Sequence, residues 1–208
     1  LPLPRRSSAK AVALPRSAPR RDLFEDEARF LRSWLERPLV TGAVTPSGRL
    51  LARTMASYVD PRRPGPVIEL GPGTGPVTDA LVRRGIEQER LVLVEYNPDF
   101  CDLLRRRFPR ATILRGDAYR MRETLGDVLA EPACATISSL PLFTKPLEQR
   151  LDLLQEAHDL MHPDAPFVQF TYAVVPPIPA QAFGYTASRS NKVWLNLPPA
   201  RVWVYRRS

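Results

Sequence analysis

The sequence is poor in the residues from which metal and thiol sites are built. Its 208 residues include two cysteines and two histidines. Cys101 and Cys134 make no disulfide framework, nothing falls at metal-ligand spacing, and no metal is expected. Cys134 lies in an apolar run and reads as a core residue, which suits a reducing compartment. His158 reads as a helix-face residue near the core and His162, before Pro163, as a loop residue. Neither is expected to be a catalytic base. No run of 18 or more apolar residues occurs, so a membrane-crossing helix is excluded, and no segment reads as a signal-peptide core. Acid is missing from residues 1–21. Arg5, Arg6, Lys10, Arg16, Arg20 and Arg21 there supply six of the net eight positive charges. Such a Pro/Ser/Ala-rich segment reads as a flexible basic tail, suited to a polyanion, whether nucleic acid or an anionic lipid surface.

What is present is one ordinary core's worth of apolar sequence, with 44% hydrophobic and 25% charged residues. The 23 prolines gather in the tail, before Val67, and between Val175 and Pro199, and these are the expected irregular parts. From Asp22 to Pro38 the apolar residues recur at a period near 3.5, which predicts an amphipathic helix over 22–37. Its stripe is Leu23, Phe24, Phe30, Leu31, Trp34 and Leu35. Thr45-Pro46 has the chemistry of an N-cap and first helical position, predicting a second helix. Residues 22–60 thus form an N-terminal helical part. Beyond it, 61–208 alternates strands and helices, with strands at Val67–Leu70, Leu91–Glu95, Thr112–Leu114, Cys134–Ser138, Phe167–Val174 and Arg201–Tyr205. Helices are predicted over Pro76–Arg84, from Asn97-Pro98 to about Arg107, and over Pro146–Met161. That order means a mainly parallel α/β sheet. The non-helical connection Val175–Ala200 lets the last strand enter antiparallel.

The chemistry gathers at the strand ends. The first strand runs into Gly71-Pro-Gly73-Thr-Gly75 and then a helix, the place where an open α/β sheet binds ligand. Position 76 is proline, so the spacing is not the dinucleotide G-x-G-x-x-G. Glu69 precedes the turn. Glu95 ends the second strand, where a carboxylate can take both hydrogen bonds of a ribose diol. Gly116-Asp117-Ala118 follows the third strand, where an acid can accept from an adenine amino group.

This E-x-G-x-G-x-G, acid, G-D-A series resembles the class I S-adenosylmethionine-dependent methyltransferases. The resemblance implies a Rossmann-like, seven-stranded sheet with an antiparallel last strand. It implies S-adenosylmethionine over the glycine loop, with Glu95 on the ribose and Asp117 on the adenine. It also puts Thr45, Glu69, Gly71, Gly73, Gly75, Tyr96, Gly116, Ala118 and Ser138 on the cofactor side. The fourth strand ends in Ser138-Ser139-Leu140-Pro141-Leu142, the methyl-transfer position of that fold. Adenine-methylating relatives carry Asn or Asp where Ser139 stands, and a stacking aromatic where Leu142 stands.

Together with Phe30-Leu31-Arg32-Ser33-Trp34-Leu35 and Gly42-Ala43-Val44-Thr45-Pro46-Ser47, this segment looks like the bacterial phospholipid N-methyltransferases. That likeness implies stepwise methylation of phosphatidylethanolamine toward phosphatidylcholine, on the cytoplasmic face of the inner membrane, with the 22–37 helix docked on an anionic lipid surface. Ser139, Leu140 and Pro141 are the candidate catalytic positions, their backbone carbonyls orienting the amine. Tyr185, or a water near Glu69 or Asp117, is the candidate base. Tyr185, Arg189 and Lys192 in an insertion at 175–200 are the candidate substrate clamp, and Tyr172, Tyr185 and Trp194 the candidate aromatics around a methylated cation. A monomer is expected. The alternatives are an RNA adenine methyltransferase and a non-catalytic membrane- or RNA-binding module.

Overall fold

In the computed structural model residues 46–179, 183–190 and 199–208 are described. The basic tail, the 22–37 stripe, Thr45, Lys192 and Trp194 lie outside them. Pro46–Ala56 (α1) starts at the predicted proline and turns Leu51, Ala52, Met55 and Ala56 into the core. Val67–Leu70 (β1) follows a proline-rich turn and is wholly buried. Arg90 clasps that turn through the carbonyls of Gly65 and Pro61, at 3.0 and 2.8 Å. Pro76–Arg83 (α2), Leu91–Glu95 (β2) and Pro98–Arg107 (α3) come next, α3 capped by the Asn97 side chain accepting from the Asp99 N–H. Then come Thr112–Arg115 (β3), the short helix Met121–Leu125 (α4), Ala135–Ser138 (β4), Leu147–Asp159 (α5) and Phe167–Thr171 (β5). Tyr185–Arg189 (β6) and Arg201–Arg207 (β7) complete the sheet.

The seven strands lie in the order β3-β2-β1-β4-β5-β7-β6. Neighbours from β3 through β5 pair parallel, and β7 pairs antiparallel with both β5 and β6. One face packs on α1, α2 and α3, the other on α4 and α5. The chain leaves β1 toward β2 on one side and returns to β4 on the other. The carboxyl ends of β1 and β4 therefore meet at a topological switch point, where such sheets bind ligands. Both cysteines are buried and free, and burial pushes both thiols up.

Two expectations need correction. β6 was not predicted, and it makes part of the supposed insertion the edge of the sheet. Tyr185 pairs with Arg207, at the end of β7 remote from the carboxyl ends of β1 to β5. Its ring stacks on His158 at 5.0 Å and its hydroxyl donates to Gln155 at 2.6 Å. Tyr185 therefore packs against α5, away from the strand ends where the glycine turn lies. Arg189 is exposed on the same strand. Four residues along a strand span about 13 Å, against about one turn on a helix, so the two side chains do not converge on one phosphate.

Candidate active site at the carboxyl ends of the strands

Gly71, Gly73 and Gly75 have φ of 67°, 57° and 84°, so the turn after β1 is left-handed three times over and needs glycine. At Gly75 space is also short. A Cβ there would lie 2.7 Å from the Phe108 ring. The turn is tied down by the Gly71 N–H on the Val94 carbonyl and the Gly75 N–H on the Pro72 carbonyl, both at 2.9 Å, and by Arg107 on the Thr74 carbonyl.

Glu95 holds the turn from the side. One carboxylate oxygen accepts the Gly73 N–H at 3.0 Å and the other the Asn97 N–H at 2.8 Å. Glu69 lies deeper and is fully buried. It accepts from the Thr78 hydroxyl at 2.8 Å, while its second oxygen has no partner. Burial is the main cause that pushes its carboxyl up to about 8, with the Glu95 charge adding to it. Fully buried and absent from the cleft lining, Glu69 reaches no water in the cleft and is not placed to act as base through one, which corrects one expectation.

Above the turn a cleft of ≈ 400 Å³ opens, lined among others by Gly71, Glu95, Tyr96, Gly116, Asp117, Ala118, Ser139, Leu140 and Pro141. Nine sequence-predicted positions from four separate loops thus share one wall. Gly73, Gly75, Glu69 and Ser138 support it without being part of its lining. Tyr96 is 77% exposed, an unpaired aromatic face beside Glu95. Asp117 is exposed and accepts the Tyr119 N–H at 2.9 Å. Sequence reasoning missed Tyr119 and Lys145, whose ammonium sits 4.8 Å from the Tyr119 ring centre on the cleft wall. Nothing in their neighbourhood marks them, since loop lysines and tyrosines are common. Leu142, where a base-stacking aromatic would stand, is buried in the core beneath.

The volume suits a nucleoside-sized ligand, and the chemistry of the lining suits this one. A buried carboxylate, an exposed aromatic and a second carboxylate lie in series from the glycine turn. Among the described residues no cluster of His, Cys, Asp or Glu could hold a metal. No helix among them is long and apolar enough to cross a membrane.

No family model matches the chain. Ornithine lipid N-methyltransferase from Singulisphaera acidiphila is 30% identical over 151 residues, 71% of this chain and 79% of that protein. The chain belongs to the S-adenosylmethionine-dependent methyltransferases. Ribosomal RNA small subunit methyltransferase A from Synechococcus sp. is 36% identical, but over 96 residues, 45% of this chain and 31% of that protein. Among solved structures, the 1,6-didemethyltoxoflavin-N1-methyltransferase of Burkholderia thailandensis, bound to S-adenosylhomocysteine, superposes with a TM-score of 0.60 at 16% identity, covering 95% of this chain and 93% of its own. The glycopeptide N-methyltransferase MtfA with S-adenosylmethionine gives 0.57 at 15%, covering 77% and 94%. At those identities the likeness is one of fold. The methyltransferase takes S-adenosylmethionine as its cofactor, and the cleft above the glycine turn is the place whose residues fit it.

Proposed function

We propose that this methyltransferase N-methylates the headgroup amine of a membrane lipid, converting phosphatidylethanolamine and its mono- and dimethyl forms toward phosphatidylcholine. The observation that carries the reading is the lipid N-methyltransferase relative, matched over 71% of the chain where the RNA relative matches 45%. That relative is named for an ornithine lipid, and both headgroups offer a primary amine. Leu142 supports the same reading, because a buried aliphatic side chain gives a flipped base nothing to stack on.

In this reading Glu95 takes the ribose hydroxyls, Asp117 the adenine edge, and Tyr96 stacks beside them. Bound there, S-adenosylmethionine supplies a methyl carbon on a cationic sulfonium. The rest is positioning. The loop Ser139–Pro141 holds the acceptor against that point, and its apolar surroundings favour the neutral amine over an ammonium whose pKa is about 10 in water. Of the candidates for the base, a water near Asp117, at the exposed side of the cleft, is the one left to carry the proton to solvent.

The stripe at 22–37 is the proposed contact with an anionic, cytoplasmic membrane face. Radiolabelled methyl transfer to vesicles of phosphatidylethanolamine, vesicles of ornithine lipid and bulk RNA decides the substrate. Label in phosphatidylethanolamine is expected. Label in ornithine lipid alone moves the substrate to the relative's, and label in RNA alone overturns the lipid reading. Vesicle flotation of the full chain and of one lacking residues 1–37 tests the docking.

A further inference from the structure

The loop after β4 is held from three directions. Pro141 has φ −76° and ψ 71°, the geometry of an inverse γ-turn, and the Leu142 N–H closes that turn on the Leu140 carbonyl at 2.9 Å. The Leu140 N–H donates to the Ser138 hydroxyl oxygen at 3.3 Å. The third hold comes from β5. Gln169 is 1% exposed and lies beside Ser138 in the sheet register. Its side-chain Nε2 donates to the Leu140 carbonyl at 3.0 Å and to the Phe170 carbonyl at 2.7 Å. Rotating the amide by half a turn would set oxygen against two carbonyl oxygens, so its orientation is fixed by chemistry.

This arrangement changes which atom can receive an amine. A carbonyl oxygen has two lone pairs, and both of Leu140's are committed. The Pro141 carbonyl likewise takes the Thr144 N–H at 3.0 Å and the Thr144 hydroxyl at 2.6 Å. The expectation that the carbonyls of Leu140 and Pro141 orient the amine is therefore not met. The Ser139 hydroxyl is different. Ser139 is among the residues lining the cleft, but it is 2% exposed, and its hydroxyl oxygen is sealed from solvent with no partner among the described residues. A buried polar atom without a partner costs stability.

We infer that Gln169 is a positioning residue whose amide locks the turn carrying Leu140 and Pro141 on the wall of the cleft. The inference rests on the cleft being the amine-methylating site. It also explains why a strand otherwise as apolar as Phe167–Thr171, buried throughout, spends its centre on an amide.

The test uses the full chain, methyl transfer to the amine substrate, and calorimetry with S-adenosylhomocysteine. Gln169→Met keeps length and removes both donors. It is expected to lower kcat at least about tenfold, as loss of alignment does, with cofactor affinity within about twofold. Gln169→Glu separates positioning from mere packing. Its carboxyl can donate to Leu140 only when protonated, and its register neighbours on that face, Ser138 and Trp203, carry no charge. Its activity relative to the unsubstituted enzyme at the same pH should rise as pH falls, while that of Gln169→Met stays flat. Unchanged kcat in Gln169→Met, or a flat ratio for Gln169→Glu, overturns the role of Gln169. Should RNA be the only acceptor, the lipid reading falls, and the same ratios measured on RNA still decide Gln169.

Discussion

The Glu95 carboxylate accepts the backbone N–H of Gly73 at 3.0 Å, so the side chain assigned to the ribose also fastens the glycine turn beneath it. One residue joins the end of β2 to the loop after β1. In the proposed binding mode, ribose contact and loop shape would be coupled through that single carboxylate.

Glu95→Ala should therefore cost more than a ribose contact. Charge-assisted hydrogen bonds are worth about 1.5–3 kcal/mol each, so affinity for S-adenosylhomocysteine should drop at least tenfold by calorimetry. Glu95→Gln, which keeps one acceptor oxygen, should fall between the two. Wild-type affinity in Glu95→Ala would remove the ribose assignment.

The glycine turn should respond unequally to alanine. At Gly75 a methyl meets the Phe108 ring at 2.7 Å in a left-handed conformation, whereas at Gly71 the nearest atom, at 3.0 Å, is the tip of the Leu140 side chain. Gly75→Ala should lose about 1–3 kcal/mol in urea unfolding, and more than Gly71→Ala. Equal losses would show that the Phe108 contact is soft.

Methylation should be indifferent to β6. Tyr185→Phe removes the bond to Gln155 and should cost about 1 kcal/mol of stability with kcat, KM and cofactor affinity unchanged. Arg189→Ala should leave activity as it is. A selective rise in lipid KM for Arg189→Ala would return that residue to the substrate site.

Acid should weaken the fold through His158. Its ring is buried with both nitrogens unpartnered, and burial, aided by the Arg207 charge, lowers its pKa to about 4 from the usual 6.5. The unfolded chain then binds the proton more readily. Stability contributed by this residue is full above pH 6.5 and drains away as pH falls toward 4. His158→Phe should flatten that part of the profile in urea melts run at several pH values. An unaltered slope would show that other groups set the acid limit.

How much could be read beforehand follows the density of apolar signal. β1 and β2 are continuous buried runs, and the acids and glycines attached to them stand out by contrast. β6 did not stand out. Of its five residues Tyr185 alone is buried, as an edge strand needs only one anchor, and the prolines around it speak for a loop. α4 has five residues and two buried ones, too few to show a period. Gln169 was visible as a polar letter in an apolar strand, yet its partner lies 29 residues earlier on a loop, and only the β4–β5 register brings them together. The clamp drawn from Tyr185 and Arg189 failed because spacing four means adjacency on a helix and separation on a strand.

The sealing of Cys101 and Cys134 has a practical side. With both thiols inside the fold and held protonated by burial, the enzyme presents no reactive sulfur of its own, and these two are the only cysteines in the sequence. A single cysteine introduced at Val174, 64% exposed just past the carboxyl end of β5, would be the sole point of maleimide attachment. A fluorophore or spin probe fixed there would report from the carboxyl-end side of the sheet against a silent background.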